Sequence, residues 1–550
     1  MDCEPLLRRY ETEVLDAYHR EFAVWHRSPD TRLWAILSAF DSFILSRVDA
    51  QNRYGQLLPL DLVHRFKTIE EGLNWALRWC FADAPDSFPS TTASDALLDE
   101  GGSLLHFTAD YFVLADLHQM FGRGAMSLSC SEEARRIRFV PNRSSEILPW
   151  HAMGEQALSE ERLMRRQVDA LSAIAAKLHR VRFEYGGRGH IVLTHSRDLR
   201  DSGLLSEVRP LFEESTLPLD ETCDLGGVTM DEFRSTWAGV LAWSITVAEI
   251  YIHLATEGVP QTFCLPTQVM PVSELVDGLC AMTDLKRPTV QWVIETLTFE
   301  PRRARADIFL QPFIMSRDRD RVAWSPQIVR MSRPERNLLK LFAQTPSRSA
   351  LAANLVGGRE HRLAEKFGRL LAQRGGADFK LDRKLSSASG EGQIDLICWW
   401  RKHPEDLLLV EAKAILTIDS FHEQLEAAKV FIEAEKQLNR AAVLLAEMAT
   451  DTKRRLAPFV DWAKVRRVFK LVLTPDTPTV VDWRDRDVAS VSLRTATLHF
   501  HHRDFASPYR IWSAAKGRLW MDNLREEHLE FRSIHVGPVT YDVPVSVIDG

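Results

Sequence analysis

The stretch from Gly390 to Ile415 constrains the fold most. Gly390–Trp400 (GEGQIDLICWW) and Leu407–Ile415 (LLLVEAKAI) are nearly continuous apolar runs joined by a polar turn over Arg401–Asp406. Runs of this length, rich in branched and aromatic residues, read as adjacent antiparallel strands, and apolar character without alternation means that both sheet faces are covered. Asp395, Glu411 and Lys413 are then single charges placed against a core. Buried charge is costly unless it is paired or binds metal, so its placement carries information. Glu411 and Lys413, two apart on one strand, project from the same face, and Asp395 on the neighbouring arm can reach it.

Two carboxylates, the carbonyl of Ala412 and waters suit a hard octahedral cation such as Mg²⁺. A nearby ammonium can stabilise a pentavalent phosphorane or help to deprotonate water. The flanking sequence fits a layered α/β unit. Gly358–Arg374 reads as a helix with Leu363, Phe367, Leu370 and Leu371 on one side and Gly375-Gly376 as its stop. Phe379–Leu385 reads as a strand, Phe421–Met448 as helical and Arg467–Thr474 as a further strand.

Asp395, fifteen intervening residues, then Glu411-Ala412-Lys413 resembles the PD-(D/E)xK signature of restriction-endonuclease-like nucleases. Glu365, followed by Leu370-Leu371 and Gly375, is similar to the helix-one acid of Mrr-type members. Gly390-Glu391-Gly392-Gln393-Ile394-Asp395 resembles their glycine-rich entry to the catalytic strand, and Glu435-Lys436-Gln437-Leu438-Asn439-Arg440-Ala441 resembles a glutamine-bearing helix. The proline that names the motif is absent, with Ile394 before Asp395. The resemblance covers residues 358–475 and implies an αβββαβ core with a mixed central sheet. It implies that Asp395 and Glu411 hold Mg²⁺, for which Mn²⁺ can substitute, with the Ala412 carbonyl and Glu365 as further ligands. Lys413 would orient or activate the attacking water, and Gln437 would position Lys413 or the scissile strand.

At 550 residues the chain is long enough for several domains. We expect a multidomain α/β (α+β) protein: a mainly helical domain over 1–255, a winged-helix-like segment over 256–340, the nuclease-like domain over 345–480 and a β-rich extension over 481–550. In the first half, Glu11–Trp25, Thr31–Ala50, Thr68–Phe81 and Ser159–Arg180 carry helical periodicity, and Ala125–Cys130, Arg135–Val140 and Gly189–Thr194 read as strands. The cluster Gly186-Gly187-Arg188-Gly189 lacks phosphate-loop spacing and reads as a turn. The middle segment offers helices at Ser273–Leu285 and Pro288–Phe299 and a hairpin at Ile308–Met315 and Arg321–Trp324.

Net charge is −7, yet residues 1–270 carry 26 basic and 39 acidic side chains against 43 and 37 in the remainder. A basic face, if one exists, is therefore C-terminal. Arg302, Arg303 and Arg305 in the middle segment, and Arg454, Arg455 and Arg467 beside the last core strand, are the candidates to meet phosphates. Seven cysteines without a CxxC pair argue for free thiols. His499 and His501 read as alternating on an exposed strand. With no run of about 18 apolar residues and an acidic N-terminus, the chain reads as a cytoplasmic protein without a membrane partner. The expected function is a Mg²⁺-dependent nuclease acting on nucleic acid, DNA foremost, in a setting such as bacterial restriction, phage defence or repair, working as a homodimer or with a protein partner. The competing reading is a non-catalytic nucleic-acid-binding or assembly protein with a degenerate nuclease fold.

Overall fold

Helices dominate the first half of the chain, because apolar residues there recur at three and four. The computed structural model describes residues 3–54, 60–80, 94–142, 176–185, 191–212, 217–260, 265–300, 306–415, 421–476, 481, 486–517 and 527–548. Helices Pro29–Tyr54, Leu60–Cys80 and Asp95–Gly122 pack together, the last capped by Ser94, whose hydroxyl accepts from Leu97 N. Glu11–Trp25 is not one α-helix: a π-turn over Glu11–Leu15 is followed by two short 3₁₀ turns. The strands Met126–Ser131 and Arg136–Pro141 form a hairpin beside this bundle. Cys3 and Cys130 are joined as a disulfide, contrary to the expectation of free thiols, whereas Cys223, Cys280 and Cys398 carry free thiols. An odd total of cysteines does not preclude one pair. Residues 159–175 of the expected helix and the Gly186–Gly189 turn lie outside the described residues.

The helix Met230–Thr256 starts with a capping box between Thr229 and Glu232. It is long and apolar enough to cross a membrane, a stretch that the reading of the sequence overlooked, but 78% of its apolar window is buried inside the protein. Among the residues packed into its core are Leu275, Leu279, Val293 and Ile294, from helices Val272–Thr283 and Arg287–Thr296. These helices stand between the first and later strands of a small antiparallel sheet, ordered Ile314–Met315, Arg321–Trp324, Gln268–Pro271.

The third body is a mixed α/β layer structure. Its elements are α1 (Arg359–Gly375), β1 (Asp378–Ser387), β2 (Gly390–Trp400), β3 (His403–Ala412), α2 (Phe421–Glu447), β4 (Arg467–Thr474) and β5 (Ala489–Ser492). The sheet runs β5-β4-β3-β2-β1, with β1, β2 and β3 antiparallel in turn and β3, β4 and β5 parallel. Leu363, Ala364, Phe367 and Leu371 of α1 cover one face with Leu396, Cys398, Leu408 and Val410. Ala427, Phe431, Leu438 and Leu445 of α2 cover the other with Ile397, Trp399, Leu407 and Leu409. Each Leu, Ile, Val or Phe among them, once fully buried, contributes about 1.5–3 kcal/mol, which is why β2 and β3 carry apolar residues on both faces.

Residues 481–550 do not form a separate β-rich extension. Ala489–Ser492 is the fifth core strand, and Leu493–His499, His502–Ala506 and Pro508–Gly517 are helical. His499 closes a helix rather than alternating on a strand. Phe505 seals α1: its carbonyl would meet a Cβ on Gly375 at 2.0 Å, and Gly376 ends the helix in the left-handed region at φ 67°. The hairpin Glu527–Val536 and Val539–Ile548 returns to the N-terminal strands, where Val539–Ile548 pairs in parallel with Arg136–Pro141. Sequence periodicity is blind to such a return, because the partner strands lie some 400 residues upstream.

Candidate active site

Two neighbouring strands exchange faces at one level of the core sheet. Leu381 and Leu385 are four apart on β1 and would share a face in a regular strand, yet Leu381 packs on the α1 side and Leu385 on the α2 side. Leu396 and Ile394 on β2 divide in the same way. The turnover falls at Asp382 and Asp395, which face each other between the pairs Leu381↔Leu396 and Arg383↔Ile394. Asp382 adopts φ 47°, a left-handed conformation that Asp tolerates better than most residues.

The ladder between β2 and β3 ends at Val410↔Leu396, and the carboxylate of Asp395 then takes the place of strand backbone, accepting from Ala412 N at 2.8 Å. Glu411, 6% exposed, bonds the ammonium of Lys413 at 2.8 Å. Burial pushes both carboxyls up, and Glu411, further raised by the charge of Asp395, reaches about 7. Burial pulls the Lys413 ammonium down, but its bond to Glu411 and the fields of Glu411, Glu360 and Asp395 outweigh it and the net shift is upward. A buried and a half-buried acid that resist ionisation, one bonded to a lysine, form the kind of perturbed cluster that marks functional sites.

The helix acid that faces this centre is Glu360, not Glu365. Glu360 accepts from Ala414 N at 3.4 Å and acts electrostatically on Asp395, Glu411 and Lys413. Glu365 lies about 140° further round α1 at about 100° per residue, where it pairs with Arg369 at 2.6 Å. Gln437 is exposed on α2, away from the stripe formed by Ala434, Leu438 and Ala441. Its neighbours Glu435 and Asn439 bond Arg486 and Lys470. Asp382 and its partner His361, whose Nδ1 bonds the Asp382 carboxylate, were missed in the sequence. No spacing rule flags a residue that matters through a left-handed backbone turn.

Among the expected basic residues that the structure describes, Arg467 is engaged away from the acids. Arg467 grips the buried carboxylate of Asp406 at 2.7 and 3.0 Å, five residues before Glu411 on β3, or about 16 Å along the strand. Arg454 and Arg455 are exposed on the helix Thr450–Leu456, and Arg302, Arg303 and Arg305 lie outside the described residues. Among the described residues, one group of acids and histidines brings three ligand atoms within 4.8 Å: His403, Glu405 and Asp406, at that same far end, where Arg467 occupies Asp406. Glu360, Asp395 and Glu411 are not drawn together that closely.

The donor set around Asp395 nonetheless suits a divalent cation. Asp395 and Glu411 each have one oxygen outside the bonds to Ala412 and Lys413, and burial penalises their charge, which a hard cation would offset. No family model matches this chain, and no curated protein or solved structure matches it significantly.

Proposed function

We propose that the protein is a Mg²⁺-dependent nuclease that hydrolyses phosphodiester bonds, with DNA as its leading substrate. The observation that carries the reading is the association of Asp395, Glu411 and Lys413 at the level where β1 and β2 turn over. The element order α1-β1-β2-β3-α2-β4 and the mixed sheet support a restriction-endonuclease-like core. Asp395, Glu411 and the carbonyl of Ala412 would hold the cation, which when bound supplies charge to the scissile phosphate and lowers the pKa of a water. Lys413 keeps its proton, so its part is to offset charge on the phosphate and orient the water rather than to act as a base. The carboxylates of Asp395 and Glu411 are bonded to a backbone amide and a lysine and, among the described residues, not to arginines, which favours this reading over a degenerate binding fold.

The test is cleavage of linear duplex, circular duplex and single-stranded DNA with Mg²⁺ or Mn²⁺, beside an EDTA control and Lys413→Ala. Metal-dependent cutting that the variant loses is the expected result. Cutting that survives in Lys413→Ala removes this centre from the mechanism, and no cutting at all turns the balance to a non-catalytic nucleic-acid-binding role.

A further inference from the structure

We propose, resting on the nuclease reading above, that His361, held by Asp382, is the general acid that protonates the sugar oxygen leaving the scissile phosphate.

His361 is tied to the acid centre from two directions. Along α1 it follows Glu360, whose carboxylate reaches the amide of Ala414, next to Lys413. Across space its Nδ1 bonds Asp382, and Asp382 stands opposite Asp395 on the adjoining strand and acts on its charge. The imidazole is thus one hydrogen bond beyond a carboxylate whose charge acts on Asp395.

The orientation suits proton donation. An imidazole bonded through Nδ1 to a carboxylate presents Nε2 outward, the arrangement in which an acid positions a catalytic histidine. Both side chains are open to solvent, with 48% of His361 and 40% of Asp382 exposed, whereas Asp395 is half-buried and Glu411 is sunk in the core. Under the nuclease reading Asp395 and Glu411 would be taken up by the cation, and Lys413 is bonded to Glu411. Asp382 reaches its position only through a left-handed backbone. Such conformations cluster where a side chain must be aimed.

The step balances. The water oxygen forms a bond to phosphorus, and the bond from phosphorus to the sugar oxygen breaks, its electron pair passing to that oxygen. The proton on Nε2 of the imidazolium moves to the departing oxygen and leaves a hydroxyl. The proton shed by the attacking water passes to solvent, from which His361 is reprotonated.

The test uses the full chain with Mn²⁺ and an oligonucleotide that the wild type cuts. The product ends identify which bridging oxygen leaves, and a second substrate carries sulfur there, because a thiolate departs without a proton. His361→Ala should lose about 10²–10³-fold on the oxygen substrate and cut the sulfur substrate within a few-fold of wild type. Asp382→Asn should show a smaller loss with the same rescue. His361→Asn serves as the second variant should the alanine protein melt at lower temperature. Wild-type rates in His361→Ala on the oxygen substrate, or equal losses on both substrates, overturn the assignment while leaving the nuclease reading intact. Absence of cutting by the wild type overturns both.

Discussion

Asp395 accepts a hydrogen bond from the amide of Ala412 at 2.8 Å, so a side chain completes the ladder where the backbone of β2 has departed from β3. The same carboxylate therefore has a structural and a chemical part, and two substitutions separate them. Asp395→Asn retains an oxygen for Ala412 and removes a charge that burial disfavours. It should leave the urea midpoint unchanged or raise it, and abolish metal-dependent cleavage. Asp395→Ala leaves the amide without a partner and should cost about 1–3 kcal/mol of stability as well. Equal stability losses in the two variants would show that the bond to Ala412 does not hold the strand end.

Glu411 makes cation binding depend on pH. Its carboxyl is raised from an ordinary 4.5 to about 7, so below that value it carries a proton that a cation must displace. Affinity should be pH-independent above about 7 and fall by up to about tenfold per unit beneath it, with uptake of one ion releasing about one proton near pH 6 and almost none near pH 8. Calorimetric titration with Mn²⁺ in buffers of differing ionisation heat measures that proton directly. No change in released protons between the two pH values would mean that Glu411 is not a ligand.

The sequence exposed the centre of this site better than its surroundings, for a physical reason. Asp395, Glu411 and Lys413 interrupt apolar runs, and a charge among buried residues is conspicuous in one dimension. The outer residues carry no such contrast. Glu360 and Glu365 both lie on a charged, amphipathic α1, and only the direction in which that helix meets β3 selects the first. Gln437 matched a pattern of letters, but the apolar stripe Ala434, Leu438, Ala441 already places it on the outer side of α2. Arg135–Val140 was readable as a strand and the C-terminal end as β-rich, while the parallel pairing of Val539–Ile548 with Arg136–Pro141 was not, because nothing local in either strand names a partner so far along the chain.

The disulfide between Cys3 and Cys130 closes a loop with a sequence separation of 127 and anchors the helix Glu4–Tyr10, whose Leu6, Leu7 and Tyr10 enter the N-terminal core. Peptide mapping of the unreduced protein should recover the Cys3 and Cys130 peptides joined, and Cys3→Ser should lower stability by about 2–4 kcal/mol. Recovery of both peptides as free thiols from protein purified without reductant would contradict the bond. A joined pair with an unchanged melting temperature in Cys3→Ser would instead show that the helix is held by its packing alone.

Asp542 carries the junction between the two ends of the chain. Its carboxylate, buried on an inner strand of the sheet, accepts from Arg136 at 2.7 and 2.8 Å, from Arg138 at 3.1 Å and from Ser533 at 2.8 Å. The bonds from Arg136 are the main cause that lowers it to about 2. A depressed carboxyl contributes stability that is complete above its unfolded value near 3.8 and is lost as pH falls towards 2. Because Arg136 is half exposed, we discount the contribution to about 1–2 kcal/mol. Asp542→Asn should lower stability by that amount at neutral pH, and the difference from wild type should shrink as pH falls from about 4 to about 2. Chemical denaturation across that range, followed by the fluorescence of the tryptophans, reads the difference. A gap between the two proteins that stays constant down to the lowest pH would mean that Asp542 acts by shape rather than by charge, and that the parallel pairing of Val539–Ile548 with Arg136–Pro141 stands without its ion pairs.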